Sequence, residues 1–121
     1  MTDERGSVSI VVAAAVGTAL VVAMGVADVG RAVIARSRAE AVADLVALAA
    51  VQELALPSGV DPAVLAAAYA ASNSVRLVSC ACPPGAREAV VTVSVPVPGF
   101  LLPLAPRDVE ASARAVVDLP T

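Results

Sequence analysis

A run of 21 residues without a charge, Ser7 to Ala27 (SVSIVVAAAVGTALVVAMGVA), constrains this chain more than any other feature, because it decides which solvent the chain must occupy. At about 1.5 Å rise per residue a helix of that length covers about 30 Å, the thickness of a bilayer's hydrocarbon core. A helix satisfies its own backbone polar groups, and only Ser7, Ser9 and Thr18 offer lipid a polar side chain. Two other readings compete. A cleaved secretory signal has an apolar core of about 7–15 residues behind a basic start. Here the run is longer, the preceding TDERG is charge-balanced only with the α-amino group counted, and Ala23-Met24-Gly25 is the stretch that could pass for a cut site. A buried helix of a water-soluble domain needs enclosure, and 121 residues with one Phe, one Tyr and no Trp supply little of it. The sequence therefore predicts a small single-span membrane protein with its bulk on one side.

The chain is 59% hydrophobic with a mean hydropathy of +0.86, yet only 2% aromatic, so its apolar mass is mostly Ala, Val and Leu. That composition suits one long helix and a small sheet better than a large interlocking core. The net charge of −3 and the absence of a basic cluster argue against nucleic acid as a partner. There is no His, so Ser-His-Asp and Cys-His arrangements are excluded. Asp44, Glu53, Asp61 and Glu88 are scattered and read as solvated surface charges, and no glycine loop of phosphate-binding spacing occurs. The sequence predicts no catalytic residue, no cofactor and no metal site.

Helical character continues beyond the apolar run. From Asp28 to Leu56 there is no Pro and the only Gly is Gly30, among many Ala, Leu, Arg and Glu residues. Arg36 and Glu40 stand four apart and can pair on the surface. The segment 41–51 (AVADLVALAAV) is apolar nearly all round, so it needs cover from the rest of the chain or from neighbouring subunits. Leu56-Pro57-Ser58-Gly59 ends this helix, and Asp61-Pro62 caps and opens a second one that runs to about Ser72. The period then changes from helical to alternating. Val91, Val93, Val95 and Val97 share one face against Thr92, Ser94, Pro96 and Pro98 on the other. Val109, Ala111, Ala113, Ala115 and Val117 likewise face away from Glu110, Ser112, Arg114 and Asp118. These are strands with one wet face, preceded by a weaker strand from Val75 to Cys82 and the CPPGA turn. Pro96 and Pro98 fit a strand end or an edge. The predicted class is α+β: a long N-terminal helix, transmembrane in its first half, a short second helix and about three antiparallel strands.

Several motifs are candidates for interaction. Ala15, Ala19, Ala23 and Ala27 recur every fourth residue, a spacing that lets another helix approach closely in lipid, although alanine is abundant throughout. Asp28, at the edge of the apolar run, reads as an interfacial anchor that reaches water or pairs with Arg31. Cys80 and Cys82 form a CxC pair. In extended geometry their Cα atoms would stand about 6.6–7 Å apart, at or beyond the usual limit for a disulfide. A bridge would need the turn at Pro83-Pro84 to bend the strand; reduced thiols or a bond to a partner are the alternatives. Phe100-Leu101-Leu102-Pro103-Leu104 is an apolar loop between two strands, which either closes the sheet over the helix or touches the bilayer or a partner.

The short charged leader ending in Arg5-Gly6, the apolar helix, the segment RAVIARSRAEAVADLVALAA and the late strand VEASARAVV together resemble the TadE/TadG-like proteins of tight-adherence (Flp) pilus assembly, specifically the short actinobacterial group encoded near secretion genes. The most specific part is Arg31 to Ala50. The resemblance implies a pilin-like fold and a non-enzymatic, minor-pilin or pseudopilin-like component of a tight-adherence pilus or related secretion apparatus. Its partners would be the membrane and other subunits, a second copy of the chain among them. It also implies processing after a Gly, which makes Gly6-Ser7 the candidate site, with residues 1–6 as a leader. Precursors of this system carry Glu at the fifth mature position, where this chain has Val11. A membrane-resident assembly factor fits as well as a filament subunit. The expected organisation is a transmembrane helix over 7–27, its continuation over 28–56 and a small extracytoplasmic α+β region over 57–121. Arg31, Arg36 and Arg38 after the span oppose this orientation by the positive-inside tendency, whereas Asp28, Glu40 and the two Cys favour it. The competing function is a membrane-anchored extracytoplasmic binding or regulatory subunit.

Overall fold

The computed structural model describes residues 2–97, 99, 101 and 108–118, with side chains from Arg5 onward. One helix, α1, runs from Thr2 to Ala55. Its 54 residues make a rod of about 80 Å at 1.5 Å per residue. Residues 2–6, the expected leader, are part of this helix, and nothing between Thr2 and Gly6 interrupts it. A second helix, α2, spans Pro62–Ser72, with Pro62 in its first turn and the Asp61 side chain accepting the Ala63 N–H at 2.9 Å as its cap.

Three strands follow: β1 (Arg76–Ala81), β2 (Glu88–Pro96) and β3 (Asp108–Val116). They form an antiparallel sheet in the order β1-β2-β3, so the valine-rich strand is central. The β1–β2 pairing slips between Leu77 and Ser79, a bulge, whereas β2 and β3 pair without a shift from Glu88↔Val116 to Pro96↔Asp108. Pro96 is the last residue of its strand, where its missing N–H costs the ladder least. On the wet face Thr92 and Ser112, directly opposed, share a hydrogen bond of 2.8 Å, and Arg114 pairs with Glu88 at 2.8 Å. Ser94, predicted on that face, is buried; in the central strand it lies between the longer residues Arg76 and Glu110.

The core joins the second half of α1, α2 and one face of the sheet. Buried positions on α1 begin at Asp28 and recur at 35, 39, 42, 46, 50 and 53, a stripe on one face, widened by Ala43, Ala47 and Val51. Opposite it the alternation read from the sequence is realised: Val91, Val93, Val95, Val97, Ala111 and Ala113 are all buried. Ala39, Ala43, Ala50, Ala66 and Ala70 are fully buried, and such small residues let two helices and a sheet approach closely. The all-round apolar segment 41–51 is covered on one side only, leaving Leu45 and Leu48 exposed.

This packing gives a test. Ala43→Leu forces added methyl groups into a filled layer and should cost about 1–3 kcal/mol. Ala41→Leu, on the exposed side of the same helix, should stay within about 0.5 kcal/mol. Thermal unfolding of the detergent-solubilised protein, followed by circular dichroism, compares the two. Equal losses would mean that α1 does not present this face to the sheet.

Candidate functional site

The first half of α1 is uncovered. Between Val8 and Val26, ten large apolar side chains are each 39–71% exposed. The most apolar 18-residue window of the helix has a mean hydropathy of 2.5, with none of it buried. The helix is thus long and apolar enough to cross a membrane, and that window takes no part in the core that the second half of α1 builds. The Thr18 hydroxyl donates to the Ala14 carbonyl at 2.8 Å, which satisfies within the helix a group that lipid could not. Ala15, Ala19 and Ala23 are exposed along this half, and Ala27 is half-buried where cover begins. Gly6 and Ser7 are exposed, and a side chain at Gly6 would meet nothing within 4 Å.

Where the apolar run ends, the chain folds back on the helix. Asp28 is only 6% exposed, and one carboxylate oxygen accepts the backbone N–H of Leu101 at 2.8 Å and the guanidinium of Arg31 at 3.4 Å. Arg31 also donates to the Gly99 carbonyl. The expected pairing of Asp28 with Arg31 is present, but the carboxylate does not reach out to water. It holds the connection between β2 and β3. Nothing near Asp28 in sequence signals this, since its acceptor role serves a residue 73 positions away. Of the apolar loop 100–104 only Leu101 is described; Phe100, Leu102, Pro103 and Leu104 lie outside the described residues.

The other basic residues of this region are engaged. Arg36 pairs with Glu40 at 2.7 Å, as the four-residue spacing predicts, and also reaches the Glu110 carbonyl at 3.3 Å. Arg38 donates to the Asn73 carbonyl at 2.8 Å beyond the end of α2. Cys80 and Cys82 are joined by a disulfide with their Cα atoms 5.5 Å apart. That is closer than the roughly 6.6–7 Å of extended geometry, and the bridge joins a residue of β1 to the first residue beyond it; Cys82 is buried and Cys80 half-buried against the core.

Glu53, at the far end of α1, is also buried, against the expectation of a solvated charge. It accepts from the Ser58 N–H at 2.7 Å, from the Ser58 hydroxyl at 2.8 Å and from the Val60 N–H at 3.3 Å, closing the turn between α1 and α2. These donors, the Ser58 N–H first, hold its carboxyl below the usual carboxylate range against the opposing effect of burial. A Glu four residues before a Pro-Ser-Gly turn was the available signal.

The candidate residues do not converge. The alanine row, the Gly6-Ser7 bond and the cysteine pair lie on different parts of the molecule, and the described residues contain no cluster of three His, Cys, Asp or Glu that could hold a metal ion. What the fold defines is an α+β protein whose one long helix is bare and apolar in its first half and roofed by a small antiparallel sheet in its second. Residues 6–53, almost all of that helix, match the family model for Flp pilus-assembly TadE/G-like proteins. Over those residues the chain is similar to a component of pilus assembly, while α2 and the sheet lie beyond the match. No curated protein and no solved structure matches the chain.

Glu53 supplies a pH test. Because its carboxyl is held low in the folded state, its contribution is present above the unfolded value of about 4.3 and is lost as pH falls through the folded one. Glu53→Gln should lower the unfolding temperature at pH 7, and the wild-type and variant curves should converge in acid. A gap that is the same at both pH values would show that the charge is not what holds the turn.

Proposed function

We propose that the chain is a non-enzymatic, minor-pilin or pseudopilin-like component of a tight-adherence pilus or related secretion apparatus, held in the cell membrane by residues 7–27 with residues 57–121 outside. The observation that carries this reading is the division of α1, bare and apolar before Asp28 and one-sidedly packed after it, along the segment matched by the family model. Such a helix presents its first half to lipid and to other helices, and its second half carries a folded head.

Arg31, Arg36 and Arg38 count against the outward orientation by the positive-inside tendency, so that orientation rests on the cysteine pair and on the family resemblance. The Cys80–Cys82 bridge suits an oxidising compartment. The row Ala15, Ala19 and Ala23, exposed on the bare half, is the face we assign to contact with another helix of the assembly, a second copy included. With Val11 in place of the Glu that pilin precursors of the resembled family carry, a membrane-resident assembly factor fits as well as a filament subunit.

A second reading is a membrane-anchored binding or regulatory subunit. It draws on an open groove of about 760 Å³ between α2 and the sheet, lined by Ala71, Ser74, Arg76, Leu77 and Pro96 among others.

Leu at Ala19 and Ala23 keeps the span apolar but pushes a packed helix away, whereas Leu at Val12 and Val22 leaves the row intact. Crosslinking to the other pilus or secretion subunits, at equal membrane abundance, should fall severalfold for the first pair and hold for the second. Equal yields for both pairs would remove the alanine face from the assembly.

Orientation has its own measurement. After reduction, Cys80 should react with a membrane-impermeant thiol reagent in intact cells. Labelling seen only after lysis would place the sheet in the cytoplasm and overturn the outward orientation.

A further inference from the structure

Arg31, Ile34, Ala35 and Arg38 are spaced three, four and seven residues apart, so they share one face of α1. With Val95, Pro96 and Val97, where the chain leaves β2, they line an open pocket of about 250 Å³. Ala35, Val95 and Val97 are buried and make its apolar wall, while Ile34 is 70% exposed. The two arginines stand about two turns apart, with Ile34 and Ala35 between them.

An arginine has five N–H donors, and most of these are unused. Arg31 makes both of its described bonds, to Asp28 and to the Gly99 carbonyl, through Nη1. Arg38 makes one, through Nη2 to the Asn73 carbonyl. Nε and Nη2 of Arg31, and Nε and Nη1 of Arg38, have no partner among the described residues. The charges are uneven as well. Arg31 pairs with Asp28 and Arg36 with Glu40, whereas Arg38 has no acidic partner among the described residues. From Asp28 to Glu40, three arginines therefore meet two acids.

The pocket lies at the height of a headgroup layer. Ser7 to Ile34 makes about 42 Å of helix, against about 40–45 Å for a bilayer with its headgroup regions. Side chains of a helix lean toward its N-terminus, so Arg38, one turn beyond Ile34, leans back toward the span.

We infer that this pocket binds the phosphate of one anionic phospholipid, held between Arg38 and the unused donors of Arg31, with an acyl chain running from Ile34 down the bare half of α1. A guanidinium matches a phosphate in shape and in hydrogen bonding, and Arg38 brings the charge that the phosphate neutralises. A free phosphate would use the arginines and leave Ile34 in water; a phospholipid engages both. The pocket meets the nearest headgroup layer whichever way the span is oriented. The head is thereby fastened to the membrane by a bound lipid as well as by the span.

This inference rests on the membrane-anchoring reading, and two measurements on the full-length protein keep them apart. Flotation with phosphatidylcholine vesicles tests the anchor: wild type, Arg38→Gln and Arg36→Gln should all float. Wild type left behind would defeat the anchoring reading and the inference with it. Native mass spectrometry of the same proteins in a non-ionic detergent, titrated with phosphatidylglycerol or phosphatidylcholine, tests the pocket. Arg36, paired with Glu40 and outside the pocket's lining, is the control. Wild type should take up one phosphatidylglycerol roughly fivefold more tightly than phosphatidylcholine, the weight of one arginine near an anionic surface. Arg38→Gln should lose that preference through weaker uptake of phosphatidylglycerol alone, and Arg36→Gln should keep it. Equal affinity of wild type for the two lipids would overturn the inference and leave the anchor standing. So would an Arg38→Gln that keeps the preference or binds both lipids less, or an Arg36→Gln that loses it. Displacement of the lipid by an equal concentration of glycerol phosphate would overturn it too, since the pocket would then take the phosphate without the acyl chain.

Discussion

One helix is bare and apolar in its first half and packed against a sheet in its second, and the rest of the molecule is arranged around that division. The ten apolar side chains between Val8 and Val26 are 39–71% exposed, so each would gain about half of the roughly 1.5–3 kcal/mol of full burial on leaving water. Together that is comparable to the roughly 5–15 kcal/mol by which a typical domain is stable. No rearrangement of a thin Val and Ala core could recover such a sum, so this half needs lipid or other helices. The half after Asp28 needs the opposite, and it has a narrow buried stripe matched to a sheet. The transition occurs within a single unbroken helix, so the position of the head relative to the span is set by helical rise.

Two buried carboxylates mark the ends of the packed half. Asp28 takes the backbone N–H of Leu101 at the near end, and Glu53 takes the N–H groups of Ser58 and Val60 at the far end. Each sits on α1 and each ties down a connection between elements instead of facing solvent. The bond to a charged acceptor is roughly twice as strong as a neutral one, which suits connections that contribute little apolar area of their own. In a head with one Phe and one Tyr, such polar clamps replace the large aromatic contacts that would otherwise fix loops.

The family match and the fold divide the chain differently. The match ends at Glu53, inside the helix's last turn, while the sheet begins at Arg76. What the chain shares with TadE/G-like proteins is therefore the helix, with both its bare and its packed half, and the head is the part that the match leaves to this chain's own geometry.

Periodicity made most of the fold legible. The uncharged run, the Pro57-Ser58-Gly59 stop, the Asp61-Pro62 start and the alternating valines each reflect a local rule, because period 3.6 and period 2 are properties of neighbouring residues. The strands at 88–96 and 108–116 lie within one to three residues of their predicted bounds at each end. Other features depended on residues far apart in the chain. Asp28 looked like an interfacial anchor and Glu53 like a surface charge, because burial of a carboxylate is decided by which distant amide is brought to it. The approach of Cys80 and Cys82 to 5.5 Å falls at the end of β1, below the separation that extended spacing predicts. The sequence by itself determined which half of the helix is apolar enough to cross a membrane, since solvent preference is a sum over side chains. Only the tertiary structure decided where the head is fastened to it, because hydrogen bonds spanning 73 residues exist only once the sheet has closed over the helix.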